Sequence, residues 1–304
     1  MSSSIIAESP SPSAPRSHLF GVSVAMVTPF ARDDTVDLAR LAVHAAAVQE
    51  AGVDGITLFG TTGEGASLGL AERGRMLDAS LDAGVPAGHI TVGIAACDAE
   101  GAEAQARLAL RRGIRSLLLA PPFYFKGIDD DALLDWVTAF VARVADADPR
   151  IILYHIPQVT GVGFSASLVR RIKERCGDVI FGIKDSEGSW SHAEAFLPMK
   201  DLAVLIGDER LLARAAPLGG AGAISGMANL LPGVIADLIH HGRPNAELNR
   251  LVDDVVSVPV TPLVKALVGE TRGDNGWART RPPLSPANPN VVKALAARVA
   301  ALMG

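Results

Sequence analysis

The chain of 304 residues has a formal net charge of −5, and 49% of its residues are hydrophobic. This is ample material for a sizeable core and excludes a chain disordered throughout. The acidic balance, with arginines scattered and not interleaved with aromatic residues, offers no basic surface and argues against a nucleic-acid partner. The two cysteines, Cys97 and Cys176, are too few for a disulfide framework and lack metal-ligand spacing, which favours a reducing, cytoplasmic setting.

Residues 1–18 are rich in serine and proline and lack the basic and apolar regions of a signal peptide. We therefore expect them to form a disordered N-terminal tail. No apolar run of 18 or more residues is free of charges and helix breakers. The sequence thus predicts neither a membrane span nor a membrane partner.

Eight short apolar runs, each ending in polar or turn residues, are typical of buried parallel strands. In chain order they are "LFGVSVAMVTPF", "GITLFGTT", "HITVGIAA", "RSLLLAPP", "RIILYHIP", "VIFGIKDS", "LAVLIGDE" and "GAISGMAN". Stretches with helical periodicity, such as "AEAQARLALRRG" and "DDALLDWVTAFVARVAD", separate them. The alternation predicts an α/β fold, a (β/α)8 TIM barrel over residues 19–245, with a doubly wound open sheet as the alternative.

From about residue 246 the helical periodicity continues without intervening strand patterns. The segments "LVDDVVSVPVTPLVKALVG" and "NPNVVKALAARVAALMG" show it most clearly. The sequence therefore predicts a C-terminal helical domain over residues 246–304.

Lys184 ends the sixth apolar run, and no other of the six lysines ends a strand pattern. The carboxyl ends of barrel strands meet at the mouth where active sites lie, so Lys184 is predicted to point into the mouth. Apolar surroundings disfavour a charged ammonium, and the neutral amine can attack a ketone to form a Schiff base. The alternative is a lysine that begins a surface loop and extends outward.

Tyr154 ends the preceding apolar run, where its phenol can move protons to and from the Schiff-base intermediates. A packed ring with a hydrogen-bonded tip is the alternative.

The turn "FGTTGEGASL" follows the second run, and its glycines allow the N–H groups near Thr61 and Thr62 to form a nest for a carboxylate. An ordinary turn with a helix cap explains that segment equally well.

The motifs "GTTGE", "YHIP" with "TGVGFS", "GIKDS", "GDE" and "GAISGMAN", in this order, resemble the dihydrodipicolinate synthase and N-acetylneuraminate lyase family of class I aldolases. The resemblance extends from about residue 19 to "RPPLSP". It implies a TIM barrel with a C-terminal helical domain, a homotetramer, and a reaction that uses neither a metal nor an organic cofactor.

The family motifs also imply roles for individual residues. Lys184 matches the Schiff-base lysine and Tyr154 the general acid and base, while Thr61 and Thr62 match the pair that binds a carboxylate and relays protons. Tyr124 matches a tyrosine that completes a hydroxyl relay across a subunit interface, although a packed aromatic residue explains it equally well.

Three further positions are expected to bind substrate. Ile224 matches a residue whose backbone lies near the bound pyruvyl unit. Gly207 and Glu209, in "GDER", lie in the region that binds substrate after the seventh strand. Arg210 stands where the sialate lyases have a second acid, which puts recognition of sialic acid in doubt. We interpret Arg210 either as a contact for an anionic group or, preferably, as a surface arginine paired with an acid.

Two residues near Tyr154 depart from the family pattern. Val159 stands where the synthases carry an arginine that holds the carboxylate of the aldehyde, so the synthase activity is disfavoured. His155 stands where asparagine is common. Strand alternation turns it away from Tyr154, which favours packing behind the site over tuning of the site by a hydrogen bond.

The sequence therefore predicts an aldolase or a related lyase, such as a dehydratase, that uses a Schiff base on Lys184. Its small-molecule substrates are a 2-keto acid, of the pyruvate or 2-keto-3-deoxy sugar acid type, and an aldehyde. One alternative is 4-hydroxy-tetrahydrodipicolinate synthase, which condenses pyruvate with aspartate semialdehyde. The others are a catalytically silent barrel that binds a keto acid, and a phosphate-sugar barrel, whose glycine-rich phosphate loop is not clearly present.

Overall fold

The structure is a computed structural model that describes residues 20–303, so the tail predicted for residues 1–18 lies outside the described residues. Within residues 20–303 the strands are β1 (Gly21–Ala25), β2 (Gly55–Leu58), β3 (Ile90–Ile94), β4 (Ser116–Leu119), β5 (Arg150–His155), β6 (Ile180–Asp185), β7 (Ala203–Ile206) and β8 (Gly222–Ser225). The α-helices are α1 (Leu38–Glu50), α2 (Leu70–Asp82), α3 (Ala99–Leu110), α4 (Asp130–Val144), α5 (Pro157–Thr160), α6 (Ala166–Cys176), α7 (Trp190–Phe196), α8 (Glu209–Ala215), α9 (Pro232–His241), α10 (Ala246–Val256), α11 (Val260–Arg272) and α12 (Pro289–Met303).

The strands β1 to β8 form one closed parallel barrel in chain order, and β8 pairs with β1 to complete it. They are buried along nearly their whole length, because helices cover the outer face and side chains fill the interior. The TIM-barrel prediction is confirmed, and the open sheet is excluded.

Two groups of apolar side chains hold the barrel together. The larger lies between the strands and the surrounding helices. The smaller fills the barrel interior and includes Leu118, Ile152, Leu205 and Ile224. Tyr154, near the carboxyl end of β5, belongs to this interior group. Its ring therefore packs on the apolar side chains of the barrel interior, and its hydroxyl lies at the mouth of the barrel.

The helices α10, α11 and α12 follow α9 without another strand in the described part of the chain. Every residue of α11 from Thr261 to Gly269 is buried. The hydroxyl of Thr261 donates to the carbonyl oxygen of Thr61 at 3.2 Å, which joins α11 to the loop after β2. α10 begins at residue 246, and a division into two domains at that point stays a prediction. Among residues 20–303, none of the helices combines the length and apolar character that a membrane crossing requires.

Candidate active site

Lys184 and Tyr154 are neighbours at the mouth of the barrel. β5 and β6 pair in a register that places them opposite each other, so both side chains lie on the interior face. The Nζ atom of Lys184 is 3.4 Å from the hydroxyl of Tyr154 and 4.4 Å from the centre of its ring. Each residue is only 6% exposed. A buried amine therefore stands within hydrogen-bond reach of a phenol that can exchange a proton with it.

Thr61 lies on the other side of the Tyr154 hydroxyl. The two oxygens are 3.3 Å apart, so Thr61, Tyr154 and Lys184 form a continuous chain of polar atoms. The loop after β2 holds Thr61 by a tight turn in which the N–H of Gly65 donates to the carbonyl of Gly60 at 3.1 Å. A Cβ atom on Gly65 would lie 1.9 Å from the carbonyl oxygen of Phe59, so only glycine allows this turn.

Thr62 and Ile224 lie towards the β8 side of the mouth. Thr62 is half-buried, and its side chain lies next to Gly226, which follows β8. A Cβ atom added to Gly226 would be 3.5 Å from the Thr62 hydroxyl. Ile224 is 1% exposed and contributes its side chain to the barrel interior. Their roles as substrate-binding residues stay predictions.

Gly207 and Glu209 make contacts within the protein. The N–H of Gly207 donates to the carbonyl of Asp185 at 2.7 Å. The carboxylate of Glu209 accepts from the Ser225 hydroxyl at 2.6 Å and from the N–H of Met227 at 3.3 Å. Burial raises the pKa of Glu209. Both residues support the turns after β7 and β8, and their contact with substrate stays a prediction.

Arg210 is paired with two acids. It donates to Asp208 at 2.9 and 2.6 Å and to Asp253 at 2.7 Å. The hydrogen bond to Asp208 raises the pKa of Arg210. The preferred interpretation, an arginine engaged by neighbouring acids, is confirmed.

Tyr124 does not join the polar chain at the mouth. It is 75% exposed and packs edge to face against Phe125, with 5.2 Å between the ring centres. The structure therefore does not bring the fourth predicted catalytic residue together with the other three within one chain.

A cavity of about 340 Å³ opens beside Thr61 and Tyr154. This is near the lower limit for sites that bind small molecules. Residues at the carboxyl ends of β2, β3, β4 and β5, and in the loops that follow these strands, form its walls. Thr261 and Leu284, from the C-terminal part of the chain, complete the lining. A substrate bound at the mouth would thus contact both the barrel and the C-terminal helical segment.

Sequence reasoning missed Glu64 and Lys265. Glu64 lines the cavity, and its carboxylate pairs with the ammonium of Lys265, both side chains being fully buried. The N–H of Arg281 donates to the second oxygen of Glu64 at 3.1 Å. Burial lowers the pKa of Lys265. A signal was present, because a lysine inside the apolar helical run "PLVKALVG" requires a buried partner.

His155 lies behind the site, on the outer face of the barrel. It is 4% exposed and pairs in register with Asp185. Its ring stacks on that of His192, with 3.9 Å between the ring centres. Burial, and the charge of His192 beside it, lower the pKa of His155 to about 4. The prediction that His155 packs behind the site is confirmed.

His155, Glu187 and His192 are near enough to one another to be considered as metal ligands. However, the N–H of Phe164 donates to Nδ1 of His155 at 2.8 Å. The neutral ring therefore carries its proton on Nε2, which faces Glu187 Oε2 at 3.7 Å and offers no lone pair to a metal. This donor set does not fit a metal centre; instead, His155 stacks on His192, whose Nδ1 lies 3.2 Å from Asp185 Oδ2 on β6.

Comparison with known proteins identifies the family of the chain. The model of the dihydrodipicolinate synthetase family matches residues 18–302. An uncharacterized DapA-like lyase of Chloroflexus aurantiacus is 32% identical over 93% of this chain and 97% of its own length. A 4-hydroxy-tetrahydrodipicolinate synthase of Salinibacter ruber is 31% identical over 73% of this chain and 72% of its own.

A solved structure extends the similarity to three dimensions. The crystal structure of dihydrodipicolinate synthase from Agrobacterium tumefaciens is 41% identical, covers 94% of this chain and 100% of its own, and superposes with a TM-score of 0.90. The family resemblance seen in the motifs is confirmed. The chain therefore belongs to the dihydrodipicolinate synthetase family, and it is a lyase.

Proposed function

We propose that this lyase is a class I aldolase that acts on a 2-keto acid through a Schiff base on Lys184. The observation that carries the proposal is the continuous chain Thr61–Tyr154–Lys184, in which a buried amine contacts a phenol and the phenol contacts a hydroxyl. A barrel that only bound a keto acid would need no nucleophile in contact with a proton carrier.

The reaction follows from these contacts. Nζ of Lys184 attacks the keto carbon, and the keto oxygen leaves as water after Tyr154 supplies a proton. Loss of a proton from C3 converts the iminium to an enamine. The enamine carbon then bonds to the aldehyde carbon, whose oxygen takes up a proton. Water hydrolyses the new iminium, which releases the product and restores the amine; cleavage is the same sequence in reverse.

Trapping of the intermediate tests the proposal. With pyruvate and borohydride, we expect one reduced pyruvyl group on the peptide that contains Lys184, because reduction fixes the iminium as a stable amine. Peptide mass mapping locates the label. The Lys184→Met variant should take up none, while Lys293→Met, a matched change at an exposed lysine on α12, should be labelled like the parent enzyme. Label spread over surface lysines, or unchanged in Lys184→Met, would refute the assignment.

The synthase reaction is a second candidate, favoured by the 41% identity to a protein of that name. Against it, Val159 cannot supply the two parallel donors that an arginine offers to a carboxylate. Arg210 is already engaged by Asp208 and Asp253. We therefore expect aspartate semialdehyde to be a poor partner, by roughly ten- to hundredfold, the scale of one lost charge-assisted contact. Should it be the fastest partner and Arg210→Ala abolish its use, the synthase assignment is correct.

We also propose that the enzyme is a cytoplasmic homotetramer. Both cysteines are free thiols, as a reducing compartment would keep them. The exposed Tyr124 and Phe125 rings, 75% and 66% exposed, support self-association, because aromatic side chains are enriched in protein interfaces. In such an assembly Tyr124 could reach a neighbouring site, as its match to the family implies.

A further inference from the structure

We infer that the aldehyde partner of this enzyme is apolar. The inference rests on the proposed function, because the cavity is an acceptor site only if Lys184 forms the enamine. The wall of the cavity has no role in the formation of the Schiff base, and its composition indicates which aldehyde can bind.

The wall beyond Thr61 and Tyr154 is formed mainly by carbon. Residues with apolar side chains make up most of it: Phe59, Ile94, Leu118, Phe123, Ile156 and Val159. Such a wall gains free energy when it covers a hydrocarbon group, and it offers nothing to replace the water around a carboxylate or a row of hydroxyls. It therefore selects against both of those groups.

The polar side chains of this wall are mostly occupied. The hydroxyl of Thr160 lies 3.0 Å from the carbonyl oxygen of Ile156 and 2.6 Å from that of Val162. The hydroxyl of Thr261 donates to the carbonyl of Thr61. The charge of Glu64 is paired with that of Lys265. Ser67 adds one further hydroxyl to the lining, too little to bind a polyhydroxylated chain.

No lysine or arginine lines this cavity in the described part of the chain. Behind the wall, Arg73 donates to the carbonyl oxygen of Gly65 and Arg281 to that of Ser67, so both guanidinium groups are engaged. At the rim, the ammonium of Lys126 donates to the carbonyl oxygens of Phe123 and Thr160. These bonds hold Lys126 against the protein backbone. A carboxylated aldehyde would have to draw Lys126 away from these carbonyl oxygens.

In the reaction inferred here, the enamine carbon bonds to the carbonyl carbon of the apolar aldehyde. The aldehyde oxygen becomes a hydroxyl by taking the proton that Tyr154 holds. Hydrolysis then releases a 4-hydroxy-2-keto acid that carries the apolar group on C4. The water consumed equals the water lost when the Schiff base formed, so no other reactant is needed.

An aldehyde panel tests the inference directly. Condensation with pyruvate is measured for benzaldehyde, succinic semialdehyde and glyceraldehyde, as probes of an apolar, a carboxylated and a hydroxylated body. We expect kcat/KM to be about tenfold or more higher for benzaldehyde, the usual discrimination of an apolar pocket. Equal or faster use of either polar aldehyde overturns the inference. Borohydride trapping in the same samples separates this failure from failure of the proposed function, since the Schiff base would still form.

Substitution at the wall gives the second test. Val159→Arg places a carboxylate-binding group on the cavity, and we expect it to reverse the preference by raising the use of succinic semialdehyde about tenfold while lowering that of benzaldehyde. Val43→Arg, at a similarly exposed valine on α1, is the matched control and should leave the ranking unchanged. If the parent enzyme prefers succinic semialdehyde and Lys126→Met removes that preference, the rim lysine binds the acceptor and the inference is wrong.

Discussion

The hydroxyl of Tyr154 is the one atom that contacts both ends of the polar chain, Nζ of Lys184 and the hydroxyl of Thr61. We predict that Tyr154→Phe lowers kcat by roughly 10²-fold or more, the usual scale for a lost general acid or base. The ring contributes to the interior core, so phenylalanine should preserve the fold. Turnover and circular dichroism measured on the same sample check both points. A rate close to that of the parent enzyme would mean that another group moves the proton.

His44 should make the stability of the enzyme sensitive to acid. The side chain is fully buried. Its Nε2 lies 2.9 Å from Oδ1 of Asn229, and its Nδ1 accepts a hydrogen bond from Arg272 at 2.8 Å. Burial lowers its pKa to about 4. Between about pH 6.5 and pH 4, His44 binds a proton in the unfolded chain but stays neutral in the folded one. The free energy of unfolding therefore falls as the pH drops through this range.

At pH 5 this loss is about 2 kcal/mol for His44, and His155, whose pKa burial lowers in the same direction, adds to it. Urea unfolding at pH 7 and pH 5, at one protein concentration, measures the difference. His44→Gln should reduce it by about 2 kcal/mol, whereas His89→Gln, at an exposed position just before β3, should leave it unchanged. An equal pH dependence in His44→Gln and the parent enzyme would contradict the assignment.

At the scale of elements, α11 and the loop after β2 are joined by the buried pair Lys265–Glu64. We predict that Lys265→Met costs about 3 to 5 kcal/mol of unfolding free energy, because it leaves Glu64 buried without its partner. The double variant Lys265→Met with Glu64→Gln should recover much of this loss, since the unpaired charge is then removed. Urea unfolding compares the variants. A double variant no more stable than the single one would show that the pair is not coupled.

The strands could be predicted from the sequence because each is an apolar run that ends in polar residues, and even the four residues of β7 stand out in "LAVLIGDE". Their parallel closure then places Tyr154 beside Lys184. Helical periodicity, in contrast, predicts a helix in the segment of α11 but not where that helix docks. The contact of Lys265 with Glu64, and the part of Leu284 in the cavity, depend on that docking and could not be predicted.

For the whole molecule, we predict a tetramer in sedimentation equilibrium at micromolar concentration. The exposed aromatic pair Tyr124 and Phe125 supplies an apolar patch that water would otherwise cover. Replacing both with serine should shift the enzyme towards smaller species, because aromatic anchors carry much of the binding energy of interfaces. A monomeric parent enzyme, or an unchanged assembly in the double variant, would exclude this patch as a subunit contact.

The docking of α11 against the loop after β2 also determines when the enzyme becomes active during its synthesis. When a nascent chain has emerged from the ribosome as far as the end of β8, it contains every strand of the barrel and Lys184. It still lacks Lys265, which follows about 40 residues later. At usual translation rates this takes roughly 2 to 8 s. Until then Glu64 has no buried cation, and the cavity is open on the side that Thr261 and Leu284 later cover. A chain released early from the ribosome would therefore carry the nucleophile without a finished acceptor site.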